Sequence, residues 1–176
     1  IQLGLGFVLQ SIGGMVGINR TFDVGVLQAG LKSDTLGTLL FPRDPVGNAP
    51  ALLQALGRAF PVQPGSLLVG LLARITWFTP RLVTLHLALI LELGARTRLL
   101  VLGRVSALLP SAENDLIRIV LDAMGVLDFD AGTLAIDAVL VDSRLVHRFP
   151  ITGAAAVRAS SAGDQRRPGA AHTAAS

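Results

Sequence analysis

From Val83 to Leu93 the chain alternates with a period of two. Val83, Leu85, Leu87, Leu89, Leu91 and Leu93 share one parity, while Thr84, His86 and Glu92 share the other. Successive side chains of a strand point to opposite faces, so this stretch reads as a strand with one wholly aliphatic face. The wider segment from Leu82 to Pro110 is apolar enough to raise a bilayer helix as an alternative. Such a helix needs about 20 continuous apolar residues. Glu92, Arg96, Arg98 and Arg104 interrupt the run well before that, so no transmembrane helix is expected.

The β pattern continues downstream. Leu99, Val101, Val105 and Leu109 are joined on the other parity by Leu100, Leu102 and Leu108, which predicts a strand covered on both faces. From Asp115 to Ala123, Ile117, Ile119 and Leu121 oppose Arg118, Val120 and Asp122, which predicts a return to one wet face. Leu134 to Asp142 extends the series. Pro80, Pro110 and Pro150, with Gly94 and the Asp130-Ala131-Gly132 turn, cut everything after Ser66 into segments of about 10 to 14 residues rich in Leu, Val and Ile. That spacing implies a meander of long strands.

Upstream, Leu3 to Gln10 reads as a strand, Ser11 to Gly14 as a turn, and the residues through Ile18 as a short second strand. The period then changes. Asp23 is placed to cap a helix carrying Val24, Leu27 and Leu31 on one face, and Asp34 a second with Leu36, Leu39 and Leu40, stopped by Pro42 and Pro45. A third helix is predicted after Asn48, with Pro50 in its first turn, an apolar stripe of Leu52, Leu53, Leu56 and Phe60, and Pro61 and Pro64 at its end. Arg20 is expected to pair with Asp23 or Asp44 and brace this helical segment against the sheet.

Composition sharpens the picture in two respects. With 51% hydrophobic residues, 15% charged and a mean hydropathy of +0.61, the 176-residue chain is rich in apolar surface for a single isolated domain, so some of that surface must face a neighbour. The tail does the opposite: residues 159–176 hold no Val, Ile, Leu, Phe or Met and are expected to be disordered, leaving one domain over 1–158. The net charge of +3 arises from scattered residues, fourteen Arg and one Lys against twelve acids, and makes no case for nucleic acid. Without cysteine, thiolate metal sites and disulfides are excluded and the compartment stays open. A start at Ile1, without Met, suggests a segment of a longer parent chain.

Motifs of known chemistry are few. Gly25 to Ser33 approaches a phosphate-loop pattern, but with one residue too many before Lys32 and inside a predicted helix. Gly4-Leu5-Gly6 starts a dinucleotide fingerprint that lacks its third glycine, and reads as small residues spacing a strand. Asp142, Ser143 and His147 supply the residue types of a hydrolase triad, yet Ser143 and His147 would stand about 13 Å apart on an extended chain. Asp128 to Gly132 reads as a hairpin turn before it reads as a calcium loop. His86 has no second His or Cys near it in sequence and is expected to be a polar-face side chain. No catalytic, metal or cofactor residue is assigned and no cofactor is expected.

The segments GFVLQSIGGMVGINRTFDVGVLQAGL, LFPRDPVGNAPALLQAL, LLVLGRVSALLP and GVLDFDAGTLAIDAVLVDSRL, in that order, resemble a family of very large bacterial proteins known as the domain of unknown function numbered 6603. The resemblance covers residues 3–158. It implies a segment of a long, β-rich bacterial chain with further strands on either side, and no reaction. Ala154 to Ala156 and the tail depart from the family's continuing strand.

The expected fold is α+β, mainly a long antiparallel β-meander sheet with two or three short helices inserted near the N-terminus. The leading functional expectation is a non-enzymatic structural or binding module. Its sheet would offer the face of Val83, Leu85, Leu87, Leu89, Leu91 and Leu93 to lipid, to a hydrophobic protein partner, or to the rest of its own chain. The rivals are an enzyme of unknown class, recognisable by ionisable side chains meeting in a pocket, and a membrane β-barrel segment, disfavoured by the absence of Tyr and the single Trp77.

Overall fold

The computed structural model describes residues 1–33, 46–77, 82–110, 115–146 and 148–161. The protein is mainly β, with two helices between its second and third strands. Strands β1 (Gln2–Gly4) and β2 (Phe7–Arg20) lead into α1 (Val24–Lys32) and α2 (Ala49–Ala59). Then follow β3 (Val62–Trp77), β4 (Val83–Leu93), β5 (Arg98–Pro110), β6 (Asp115–Asp128), β7 (Thr133–Leu140), β8 (Ser143–Leu145), β9 (Phe149–Ile151) and β10 (Ala154–Ser160). One sheet runs in the order β1-β2-β3-β4-β5-β6-β7-β10, antiparallel throughout, with β8 beside β6 and β9 beside β8. The α+β meander expected from the sequence is the fold observed.

Two of the predicted helices are present. Asp23 caps α1, its Oδ1 accepting the Val26 N–H at 3.0 Å, and Leu27 and Leu31 are buried on the face the periodicity selects. Asn48 stands at the N-cap of α2 with Pro50 in its first turn. The α2 stripe differs from expectation: Leu53 is 69% exposed, while Leu56, Ala59 and Phe60 join the core. The reason is position, since α1 lies on β6 and β7 and α2 packs on α1, so α2 needs only the narrower stripe that faces another helix. The helix expected after Asp34 lies outside the described residues.

The N-terminal reading also changes. The turn falls at Leu5-Gly6, with φ of 52° and 83°, and Ser11 to Gly14 runs straight through the middle of β2. Paired to Arg74 through Leu71 of β3, that Gly-containing stretch gains the ladder hydrogen bonds of a strand on its β3 side, which overrides the turn preference of its residues. Gly4 and Gly6 both take positive φ, so they shape this turn and are not spacers within a strand. Gly94, at φ 123° between β4 and β5, is packed so closely that a side chain there would run into the Gly65 carbonyl. At the other end, residues 159 and 160 complete β10, whose Ala154 to Ala156 pair with Val139 to Asp137 of β7. The strand therefore runs on through residues expected to break it or to be disordered. The rest of the expected disordered tail, 162–176, lies outside the described residues.

The core forms on one side of the sheet. Leu68, Ala88, Ile90, Leu100, Leu102, Met124 and Val126 point from β3 to β6 toward Phe22, Leu27, Leu31, Ala59 and Phe60 of the helical layer. The helical excursion is held at its base. The Arg20 guanidinium donates to the Phe60 carbonyl at 3.0 Å, and the Thr21 and Asp23 N–H groups donate to the Pro61 and Ala59 carbonyls. The brace expected of Arg20 exists through the Phe60 carbonyl; Asp44, one of the two partners expected for it, lies outside the described residues.

Candidate functional site

The register fixes which side chains share the face away from the helices. Across β4 it carries Val83, Leu85, Leu87, Leu89, Leu91 and Leu93, the six residues singled out by parity, and all are half-buried or exposed. Their partners on β3 are Trp77, Ile75, Ala73, Leu71, Val69 and Leu67, and on β5 Ala107, Val105, Gly103, Val101 and Leu99. The same face continues through Leu121, Ala123, Gly125 and Leu127 of β6, Leu140, Ala138, Ile136 and Leu134 of β7, and Ala155, Val157 and Ala159 of β10. On β2 it takes in Ile12, Gly14, Val16 and Ile18. Apart from the indole N–H of Trp77, none of these residues carries a polar side-chain group.

Seven long strands at about 4.8 Å spacing make a surface roughly 30 Å across, well beyond the few hundred square ångströms that soluble proteins leave uncovered. Ile12, Val16 and Ile18 are 65%, 69% and 75% exposed. Nothing among the described residues covers them. At one corner Phe7 and Trp77 stack with centroids 5.6 Å apart, and the Trp77 indole donates to the Leu5 carbonyl. Within the surface lies a cross-strand row of small residues, Gly103, Ala123, Ala138 and Ala155, between taller rows containing Val105, Leu121 and Leu140 on one side and Val101, Ile136 and Val157 on the other. The strand expected to be covered on both faces, β5, is thus covered on one.

The opposite face inverts the expected polarity. Asp122, expected on a wet face, and Glu92, on the polar parity of β4, are 1% and 2% exposed and lie on the side that the helices cover. Each is buried because the register puts an arginine directly across from it. Arg98 pairs with Glu92 at 2.6 Å, Thr21 donates to the same carboxylate at 2.6 Å, and the Arg98 guanidinium lies 4.2 Å over the Phe22 ring. This network fastens the start of the helical segment to the sheet. Arg104 grips both oxygens of Asp122 at 2.6 Å, the fork geometry that a carboxylate accepts best.

Beyond the reach of the helices this face opens into a depression of about 370 Å³. Its floor is a cross-strand row of Arg74, His86 and Arg104, with Thr76, Thr84 and Ser106 in the next row and Arg118 and Asp142 at the rim. Arg74 Nε donates to His86 Nε2 at 2.9 Å, so the ring's lone pair is occupied and its proton sits on Nδ1. Burial, then the Arg74 and Arg104 charges, push the His86 pKa down to about 4. A His held neutral with its lone pair engaged, beside a carboxylate locked to arginine, does not make a general base. The arrangement is instead one of donors facing a common space.

Sequence reasoning placed His86 on a polar face but missed Arg74, Arg104 and Arg118 around it. The usable signal was parity, since 74, 76, 84, 86, 104 and 106 are all even, while the odd positions from 67 to 77, 83 to 93 and 99 to 109 carry no charge or hydroxyl. Of the hydrolase-like trio, Asp142 holds Arg118 at 2.8 Å and Ser143 is buried against the Val120 backbone, while His147 lies outside the described residues. Asp128 to Gly132 joins β6 to β7 as a hairpin turn, with Asp128 accepting the Ala131 N–H and Asp130 the Thr97 N–H. Gly25 to Lys32 lies inside α1.

The sequence model of a family described as "Family of unknown function (DUF6603)" matches residues 1–170. The chain belongs to this family. The match extends past Arg158 into the tail, further than the resemblance in the sequence motifs. No curated protein and no solved structure matches the chain. No helix among the described residues is long and apolar enough to cross a membrane, which leaves crossing by strands unaddressed.

Proposed function

We propose that this DUF6603 chain is a non-enzymatic binding module of a longer bacterial protein, and that its working surface is the uncovered sheet face, which takes the hydrocarbon of acyl lipid. The observation that carries this reading is the composition of the face: from β2 to β10 it presents no hydroxyl, amide or charge. Protein partners of ordinary interfaces are held by roughly one hydrogen bond per 100 to 200 Å² and by Arg and Tyr anchors. A surface with no such group recognises only apolar matter, and its affinity scales with the area removed from water.

The purified chain should bind a hydrophobic dye and carry acyl lipid or detergent detectable by mass spectrometry. Leu87→Glu combined with Leu89→Glu should abolish both, with the sheet intact by circular dichroism. A lipid-free chain that is dimeric assigns the face to a second copy instead. A monomeric, dye-silent and lipid-free chain makes a closed structural module the better reading.

A further inference from the structure

The depression on the covered side of the sheet is built on different principles from the apolar face, and its contents point to a ligand of their own. Arg74, His86 and Arg104 are consecutive neighbours across β3, β4 and β5, so the two arginine stems flank the imidazole about 10 Å apart. A row that only stabilised the sheet would alternate charge, because opposite charges across strands attract and like charges repel. Here the one acid in the row, Asp122, is taken by Arg104 through both oxygens. Among the described residues no carboxylate lies within ion-pair distance of Arg74, although that side chain faces the depression. Asp142 sits at the far rim, beside Arg118 and Arg144.

The polar groups present are mostly donors. Guanidinium groups only donate, and Thr84 and Ser106 add hydroxyls from the adjoining row. Thr76 accepts from Gln10 Nε2 at 3.1 Å, which leaves its own proton to give. Donors reaching one space from three strands and two rows suit a ligand that only accepts hydrogen bonds and does so in several directions. We propose that this depression binds a tetrahedral oxyanion, phosphate or a phosphate monoester, with Arg74 as its principal cation and the Thr84 and Ser106 hydroxyls completing the cradle. The assignment is independent of the apolar face, which lies on the other side of the sheet.

The test follows the ring resonances of His86, assigned with His86→Gln, in the intact chain at constant ionic strength. Inorganic phosphate and glycerol 3-phosphate should each shift them saturably. Arg74 is exposed, so Arg74→Gln keeps the fold, and it should weaken binding about tenfold or more, as loss of a charge-assisted contact does. Arg58→Gln removes the same charge from exposed α2 and should leave binding unchanged. Saturation by the soluble compounds identifies a free ligand. Arg74-dependent sedimentation with phosphatidylcholine vesicles containing phosphatidic acid identifies a lipid headgroup, and either result supports the proposal. The proposal is overturned if wild type neither shifts nor sediments, or if Arg74→Gln and Arg58→Gln behave alike.

Discussion

Ile90 and Leu89 are adjacent in one strand, and they live in different worlds. Ile90 points into the helical layer and is fully buried, while Leu89 points the other way and keeps part of its surface exposed. The contrast holds for the two faces as wholes. The face with Glu92, Arg98, Arg104 and Asp122 is the one that acquires a cover, and the face of aliphatic, small and aromatic residues is the one that no described residue covers. Hydrophobicity alone therefore does not decide which side of a sheet becomes interior. A helical layer is drawn to the side where specific bonds hold it, and here those bonds are Thr21 to Glu92, Arg98 to Phe22, and Gln28 on α1 to Asp137 on β7.

The contrast is open to direct attack, and the largest effect should come from placing a charge on each face in turn. Ile90→Glu buries an unpaired carboxylate under the helices and should prevent folding or cost several kcal/mol, whereas Leu89→Glu should change stability by about 1 kcal/mol or less. Urea denaturation of the two variants measures both, and equal losses would mean that the two faces are equally enclosed.

Next in size is the fastening of the helical layer. Glu92→Ala leaves the Arg98 guanidinium buried without its partner and should cost about 3 to 5 kcal/mol. The double change Glu92→Ala with Arg98→Met should recover part of that loss, because a well-packed apolar pair replaces a buried ion pair at little cost. If Glu92→Ala is nearly neutral by chemical denaturation, the helices are held by apolar packing alone.

The smallest effect is electrostatic. His86 has a folded pKa of about 4, below its ordinary value of 6.5, because it is half-buried between Arg74 and Arg104. Between those two values the unfolded chain binds more protons than the folded one, so stability falls as pH drops from 6.5 toward 4. His86→Gln should flatten that part of the stability profile. A profile unchanged by the substitution would show that other groups dominate it.

The elements were legible wherever one side chain answers to one local rule. The Asp23 cap, the Pro50 start and the odd-numbered aliphatics of Val83 to Leu93 each follow from chain-local chemistry, and each marks an element that the structure contains. The fate of Glu92 and Asp122 was not legible in that way. A carboxylate predicts solvent unless its partner is known, and the partners, Arg98 and Arg104, become neighbours only once hairpin register is fixed. The apolar face shows the same limit from the other side, since six Leu and Val side chains on one parity predict a face but not whether the chain itself covers it. Leu53 failed for a third reason, because α2 packs on another helix and needs only the narrow stripe that faces it.

The order of the strands has a consequence for how the chain reaches this structure. From β3 to β7 every strand pairs with the one made just before it, and short connections such as residues 94–97 and 129–132 join them. Such a topology has little loop entropy to overcome at each step, so successive hairpins can add in the order of synthesis. The longest detour is the closure of β2 on β3 across residues 21–61, against a shorter return of β10 to β7 across residues 141–153. The bonds from Arg20 and Thr21 to Phe60 and Pro61 stand at the neck of that detour. Closing so long a loop is expected to be the slow step of assembly, so Arg20→Ala at its neck should slow refolding in stopped-flow mixing, and an unchanged rate would place the slow step elsewhere.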